Sequence, residues 1–331
     1  MKRGESGLSL VVAVNKPSGM TSHDVVNRCR RIFGERRVGH TGTLDPLATG
    51  VLPVCIGPAT RLANYLTAHD KRYRTTIGFG FETTTDDIEG APTVTGSVPA
   101  DLLDGRFADA YITGLVGKHM QVPPQYSAIK KDGKKAYELA RAGAEVELQP
   151  RPIEVFESAL VERHEESGAV RWVVDFSVSK GTYIRALVRD IGRELGCYAH
   201  VVALERRQSG SLSLDECHSL ETLEVLGTEA SIDPVRLLGY RVLFAADCEK
   251  FVVNGGKISA ARAELFEPEP RSVERDLCAC TNSLVASQAE LEDGELISVV
   301  IANRLKAIYR FDGEAGCLKP DCIFSTGVSR G

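Results

Sequence analysis

Residues 38–50 read VGHTGTLDPLATG, and Asp45 is the one acid in that stretch. A carboxylate set among glycines, threonines and apolar side chains, directly before a proline, suits a desolvated reactive group that acts as nucleophile or base. Pro46 biases Asp45 toward extended backbone, while Gly39, Gly42 and Gly50 permit tight turns and close approach of a substrate. The local pattern leaves two placements open: an outward-facing loop, or the cap of a short helix that begins at Pro46.

The elements that must position this segment are legible from periodicity. LSLVVAVN at 8–15 is an apolar, valine-rich run of strand length that ends in the turn formers Lys16-Pro17-Ser18-Gly19. A helix is expected next, capped by Thr21 or Ser22, with Val25, Val26, Cys29, Ile32 and Phe33 on one face and a stop at Gly34. Residues 73–81 and 170–178 alternate as half-buried strands do, Val170, Trp172, Val174, Phe176 and Val178 facing one way. Thr182 to Leu195 reads as helix closing at Gly196, and 199–207 returns to strand. Strands outnumber helices without regular βαβ alternation, which indicates an α+β fold. In 121–143, Pro123 and Pro124 interrupt regular structure, Gly133 opens a turn, and KKAYELARAG reads as a short helix with basic residues outward.

Composition bounds the function. A chain of 331 residues that is 43% hydrophobic can build a sizeable core, enough for one large domain and one small one. Nine cysteines show no paired metal-ligand spacing, and Cys278-Ala-Cys280 is too tight for a usual zinc knuckle, so no metal is expected and the thiols read as reduced. No apolar run approaches the roughly 20 residues of a membrane span. A cytoplasmic protein with no membrane partner is expected. The net charge of −5 argues mildly against nucleic-acid binding. Against that, basic residues crowd three places: Lys130, Lys131, Lys134, Lys135 and Arg141; Arg28, Arg30, Arg31, Arg36 and Arg37; and Lys71, Arg72 and Arg74. Acids gather in 145–166 and 264–295, which suits an asymmetric surface with one basic face.

VGHTGTLDPLATG closely resembles the catalytic segment of the TruB family of pseudouridine synthases. Five further segments resemble the family in its order: VNKPSGMTSHDVV, KRYRTTIGFG, TTDDIEG, QVPPQYSAIKKDGKKAYELARAG and SKGTYIRALVRDIGRELG. The resemblance implies conversion of a T-loop uridine of tRNA to pseudouridine, a large mixed, mainly antiparallel sheet with flanking helices and a central catalytic cleft, and no cofactor. It makes Asp45 the nucleophile, Arg185 the cation paired with it, and Tyr73 the ring that stacks on the target base. Read without the resemblance, Tyr73 is a core aromatic of a strand and Arg185 a surface residue of a helix's first turn. By the same resemblance His40 lies near the extruded nucleotide, Asp87 hydrogen-bonds the RNA loop, Tyr183 and Leu204 wall the pocket, and Lys16 braces the catalytic loop. Lys130, Lys131, Lys134 and Lys135 fall in the stretch with which family members hold the T-arm. Glu205 stands where the family often shows a basic residue, which weakens the local RNA contact.

Beyond residue 245 the texture changes. Acids rise, Glu267-Pro268-Glu269-Pro270 interrupts the chain, and LEDGELISVVIANRLKAIYRFDG at 291–313 reads as turn, strand, turn and strand. With FVVNGGKIS at 251–259 this suggests a small C-terminal β-barrel at 246–331, PUA-like by resemblance, behind a catalytic domain at 1–245 that carries an RNA-binding insertion at about 119–150. The expected partner is the T-arm stem-loop of tRNA, bound by a monomer that needs no protein partner. Two rivals remain: a guide-dependent synthase acting on ribosomal RNA, and an RNA-binding or RNA-folding module without catalysis.

Overall fold

A computed structural model of the chain describes residues 6–127, 129–131, 133–143, 146–166, 169–245, 249–267, 286–287 and 290–331. The Cys278-Ala-Cys280 spacing lies outside them. Two compact units are formed, one from Met1–Asp45, Gly50–Ala68 and Gly210–Gly331, the other from Pro46–Thr49 and His69–Ser209. The fold is α+β, as the patterning implies.

In the first unit, strand Leu10–Lys16 pairs antiparallel along its whole length with Thr49–Ile56, from Leu10 opposite Ile56 to Lys16 opposite Gly50. Val11, Val12, Ala13 and Val14 are all fully buried. Both faces of the strand are therefore covered, which is why its sequence is a continuous apolar run without alternation. Short strands Ser231–Ile232 and Val38–His40 flank this pair. Helix Ser22–Ile32 starts where the sequence places it. Thr21 is the cap, its hydroxyl accepting from the Asp24 N–H while the Asp24 carboxylate accepts from the Thr21 N–H. Val25, Val26, Cys29 and Phe33 are buried, and Gly34, with φ +60°, ends the helix.

The C-terminal part of this unit is β-rich. Six strands lie in the order Ile258–Ser259, Cys317–Ser329, Arg304–Asp312, Leu296–Ile301, Arg241–Phe244, Leu265–Phe266. All neighbours are antiparallel except Arg241–Phe244 and Leu296–Ile301, which run parallel. Ala302 and Asn303 both have positive φ, the backbone that a two-residue hairpin turn demands. Residues 251–259, read from sequence as extended, instead contain the end of helix Glu249–Val253. Phe251, Val252 and Val253 form an apolar run too short for periodicity to separate helix from strand. Val252 alone among them is fully buried, and Gly255 at φ +75° terminates the turn. Val11, Ala13, Val51 and Cys55 share one core with Val242, Val300, Leu305, Ile308, Phe324 and Val328, so N-terminal and C-terminal strands pack together.

The second unit is an antiparallel run in the order Ala199–Ser209, Lys71–Phe79, Ala169–Val178, Arg151–Glu166, Gly117–Gln121. Along Ala169–Val178 the predicted alternation holds: Val170, Trp172, Val174, Phe176 and Val178 are buried. The Trp172 indole N–H donates to the Leu102 carbonyl at 2.9 Å, so this fully buried ring leaves no polar atom unsatisfied. Helix Ile184–Glu194 packs on Ala199–Ser209, and a hairpin of Phe81–Thr83 and Pro92–Thr95 presents residues 84–91. Among the described residues no helix is long and apolar enough to cross a membrane.

Candidate functional site

Asp45 lies in an irregular segment, 41–48, that joins strands Val38–His40 and Thr49–Ile56. No helix begins at Pro46, so of the two local placements the loop is the one adopted. Gly42 and Gly50 have φ of +124° and +100°, whereas Gly39 does not need the left-handed region. Asp45 is half-buried, next to fully engaged backbone at Leu44. The Ser22 hydroxyl accepts from the Leu44 N–H and donates to the Leu44 carbonyl. Lys16, completely buried, donates from Nζ to the carbonyls of Pro17 at 2.9 Å and Met20 at 2.5 Å, and so fixes the turn that leads into Ser22. His40 closes its strand opposite Val54 and is half-buried.

In the second unit the sequence-selected residues fall into two groups. Tyr73 stands between Phe176 and Arg206 in register, and Leu204 is its diagonal neighbour on the same face. Tyr73, Leu204 and Arg206 are all buried, Arg206 to 1% exposure. The other group surrounds helix Ile184–Glu194. Arg185 is buried rather than on the surface, and donates to the carbonyls of Thr85 at 2.7 Å and Tyr126 at 2.9 Å. Asp87, also buried, approaches it at 3.7 Å through Oδ2. Its Oδ1 accepts from the Thr85 hydroxyl at 2.6 Å and the Glu89 N–H at 3.1 Å, which holds the carboxylate in its own turn. Tyr183 precedes the helix, and the Gln121 side-chain amide grips it twice, accepting from its N–H at 3.0 Å and donating to its carbonyl at 3.1 Å. Lys130 and Lys131 pair with Lys135 and Lys134 in a two-stranded hairpin that leads into helix Ala136–Arg141.

The basic clusters are less bare than their sequence suggests. Arg74 binds Asp175 through two bonds of 2.7 Å, and Glu205 lies opposite it on the other side, so the arginine stands between two carboxylates in a row across three strands. This accounts for Glu205: it faces an arginine of its own sheet. Arg72 pairs with Glu157 at 3.0 Å and Arg28 with Glu224 at 2.8 Å. Gln121 and Arg189 went unnoticed in the sequence, and Ser22 reads there only as a possible helix cap, since each acts through backbone partners that have no motif of their own.

Residues 30–184 match the TruB family pseudouridylate synthase N-terminal domain, and 185–236 match the tRNA pseudouridylate synthase B C-terminal domain. The first stretch contains His40, Asp45, Tyr73, Asp87 and Tyr183, the second Arg185 and Leu204. The chain belongs to the TruB family of pseudouridylate synthases. Among its relatives, tRNA pseudouridine synthase B of Mycobacterium tuberculosis is 46% identical over 253 residues, 76% of this chain and 84% of that protein. The protein of the same name from Bacillus subtilis is 44% identical over 226 residues, 67% and 72% of the two chains. In structure the chain resembles one from an H/ACA ribonucleoprotein bound to a substrate RNA containing 2′-deoxyuridine, with a TM-score of 0.64 at 20% identity over 95% of this chain and 84% of that one. A chain of an archaeal box H/ACA complex gives 0.61 at 21% identity over 97% and 86%. At that identity the likeness is one of fold.

Proposed function

We propose that this chain is a stand-alone pseudouridine synthase that isomerises the T-loop uridine of tRNA, uridine 55. The reaction breaks the N1–C1′ bond, turns the base and joins C5 to C1′. C5 loses a proton and N1 gains one, so no redox partner or external group is consumed. Asp45 is the nucleophile or base, Arg185 the cation that keeps it ionised, and Tyr73 the ring stacked on the flipped base. His40, Asp87, Tyr183 and Leu204 bind the extruded nucleotide and its neighbours, Lys16 holds the loop entry, and the lysine hairpin meets the T-arm phosphates.

The observation that carries this reading is the match, at 46% and 44% identity over 76% and 67% of this chain, to relatives named tRNA pseudouridine synthase B. The decisive experiment is pseudouridine mapping in a synthetic T-arm hairpin incubated with the purified protein alone. Product at the T-loop uridine is expected. A requirement for a second RNA or protein would favour the guide-dependent reading, and RNA binding without product would favour the non-catalytic module.

A further inference from the structure

Helix Ile184–Glu194 carries three arginines at successive four-residue steps, which places Arg185, Arg189 and Arg193 along one face. All three grip the same short segment. Arg185 holds the Thr85 carbonyl. Arg189 reaches Asp86, with its guanidinium 3.2 Å from Oδ2. Arg193 holds Glu82 through two bonds of 2.7 and 2.8 Å. Two of them also hold the chain that leads into the lysine hairpin: Arg185 bonds the Tyr126 carbonyl, and Arg189 bonds the Val122 carbonyl at 2.8 Å. Arg189 completes its set on Asp190, at 2.9 and 2.8 Å.

The Asp86–Arg189 contact is the unusual member. Both residues are 8% exposed, and Asp86 has φ +61°, a backbone that few side chains adopt. The strain is held by main-chain bonds on either side, from the Asp86 N–H to Thr83 and from Val201 to the Asp86 carbonyl. Aiming this carboxylate at Arg189 therefore costs both backbone strain and desolvation, which a merely structural surface pair would not require. Asp87 is the next residue.

We propose that Arg189, held by Asp86, is a positioning residue for RNA binding: it locks the Asp87 loop and the root of the lysine hairpin in one arrangement on the helix. The inference rests on the functional reading above. A segment fixed before RNA arrives loses less entropy on binding, so the clamp acts on affinity more than on the chemical step. Burial pushes the Asp86 carboxyl up to about 6, against the lowering pull of Arg189, Arg185 and Arg193 from the helix and with Glu82 on the neighbouring strand raising it further. Protonation of Asp86 in mild acid removes the charge that Arg189 grips, so RNA binding weakens there.

The test measures filter binding of a T-arm hairpin and its single-turnover pseudouridine formation, between pH 5.5 and 8, for the wild type, Arg189→Met, Arg189→Lys and Asp86→Asn. Circular dichroism and thermal midpoints control for folding. Arg189→Met should weaken binding about tenfold, the scale of one charged hydrogen bond, and leave the rate at saturating protein within about threefold. Lysine should recover only part, since an ammonium cannot span the three acceptors of the guanidinium. Asp86→Asn, which tolerates the left-handed backbone, should bind several-fold more weakly at pH 7.5 and lose the acid weakening seen in the wild type. Folded Lys and Asn variants with wild-type affinity at every pH would overturn the clamp, as would an Asn variant that keeps the full acid limb. A wild type that binds the hairpin without turning it over defeats the functional reading, while the affinity differences still decide the clamp. A wild type that does neither defeats both.

Discussion

The Ser22 hydroxyl and the Leu44 backbone form a closed pair, the N–H of Leu44 donating to Oγ at 2.8 Å and Oγ donating to the Leu44 carbonyl at 3.0 Å. Because Thr21 caps the helix, Ser22 is left to spend both donor and acceptor on the residue before Asp45. One hydroxyl thereby ties the start of helix Ser22–Ile32 to the segment that carries Asp45, 22 residues away in sequence.

Ser22→Ala would leave the Leu44 N–H and carbonyl buried without that partner, at about 1–3 kcal/mol for a group left unsatisfied. The rate of pseudouridine formation at saturating protein should fall by about tenfold or more, since small displacements of a reacting group are costly. Hairpin affinity should hold within about twofold. Loss of affinity with an unchanged rate would show that Ser22 serves RNA binding instead.

Asp45→Asn should abolish turnover and leave hairpin binding largely intact, because the amide keeps the shape and loses the nucleophile. The check is pseudouridine mapping beside filter binding on the same preparation. An Asn variant near wild-type rate would remove Asp45 from its proposed role.

Local chemistry explains what could be read in advance. Helix Ser22–Ile32 announces itself through Thr21, its apolar face and Gly34; strand Ala169–Val178 does so through strict alternation around Trp172. Arg185 shows the opposite case. In sequence it is a first-turn arginine, and its burial depends on the carbonyls of Thr85 and Tyr126, 100 and 59 residues away. A carbonyl is the same at every residue and leaves no signature. Arg74 looked like part of a basic patch because Asp175 and Glu205 meet it only once the strands are in register. Phe251 to Val253 offered an apolar run with no period, too short to tell the helix found there from a strand.

Replacing Lys130, Lys131, Lys134 and Lys135 by alanine should weaken hairpin binding and flatten its dependence on salt, by a slope of about one for each phosphate no longer neutralised. The rate on saturating RNA should survive. A salt titration that superimposes on wild type would place these lysines away from the phosphates.

Lys71 offers a stability test with a definite sign. It is 8% exposed at the start of strand Lys71–Phe79, and its ammonium donates to the His69 carbonyl. Burial, helped by Arg206 and Lys180 and opposed by Asp70, brings its pKa down to about 8. Below pH 8 folded and unfolded chains both hold the proton, and the folded state bears the full cost of the buried charge. Between about 8 and the ordinary lysine value, near 10.4, the folded chain has released the proton and the unfolded chain has not, so this group's contribution to stability rises with pH. The buried thiols work the other way. Cys29 and Cys55, pushed up to about 12, keep protons that the unfolded chain loses, which lowers stability above about pH 8.5. The wild-type curve alone therefore mixes opposite trends, and the informative quantity is the difference between wild type and Lys71→Met in denaturant unfolding under reducing conditions. That difference should shift in favour of wild type by about 2 kcal/mol between pH 7.5 and 9.5. Parallel curves across that range would mean that Lys71 titrates as an ordinary surface lysine.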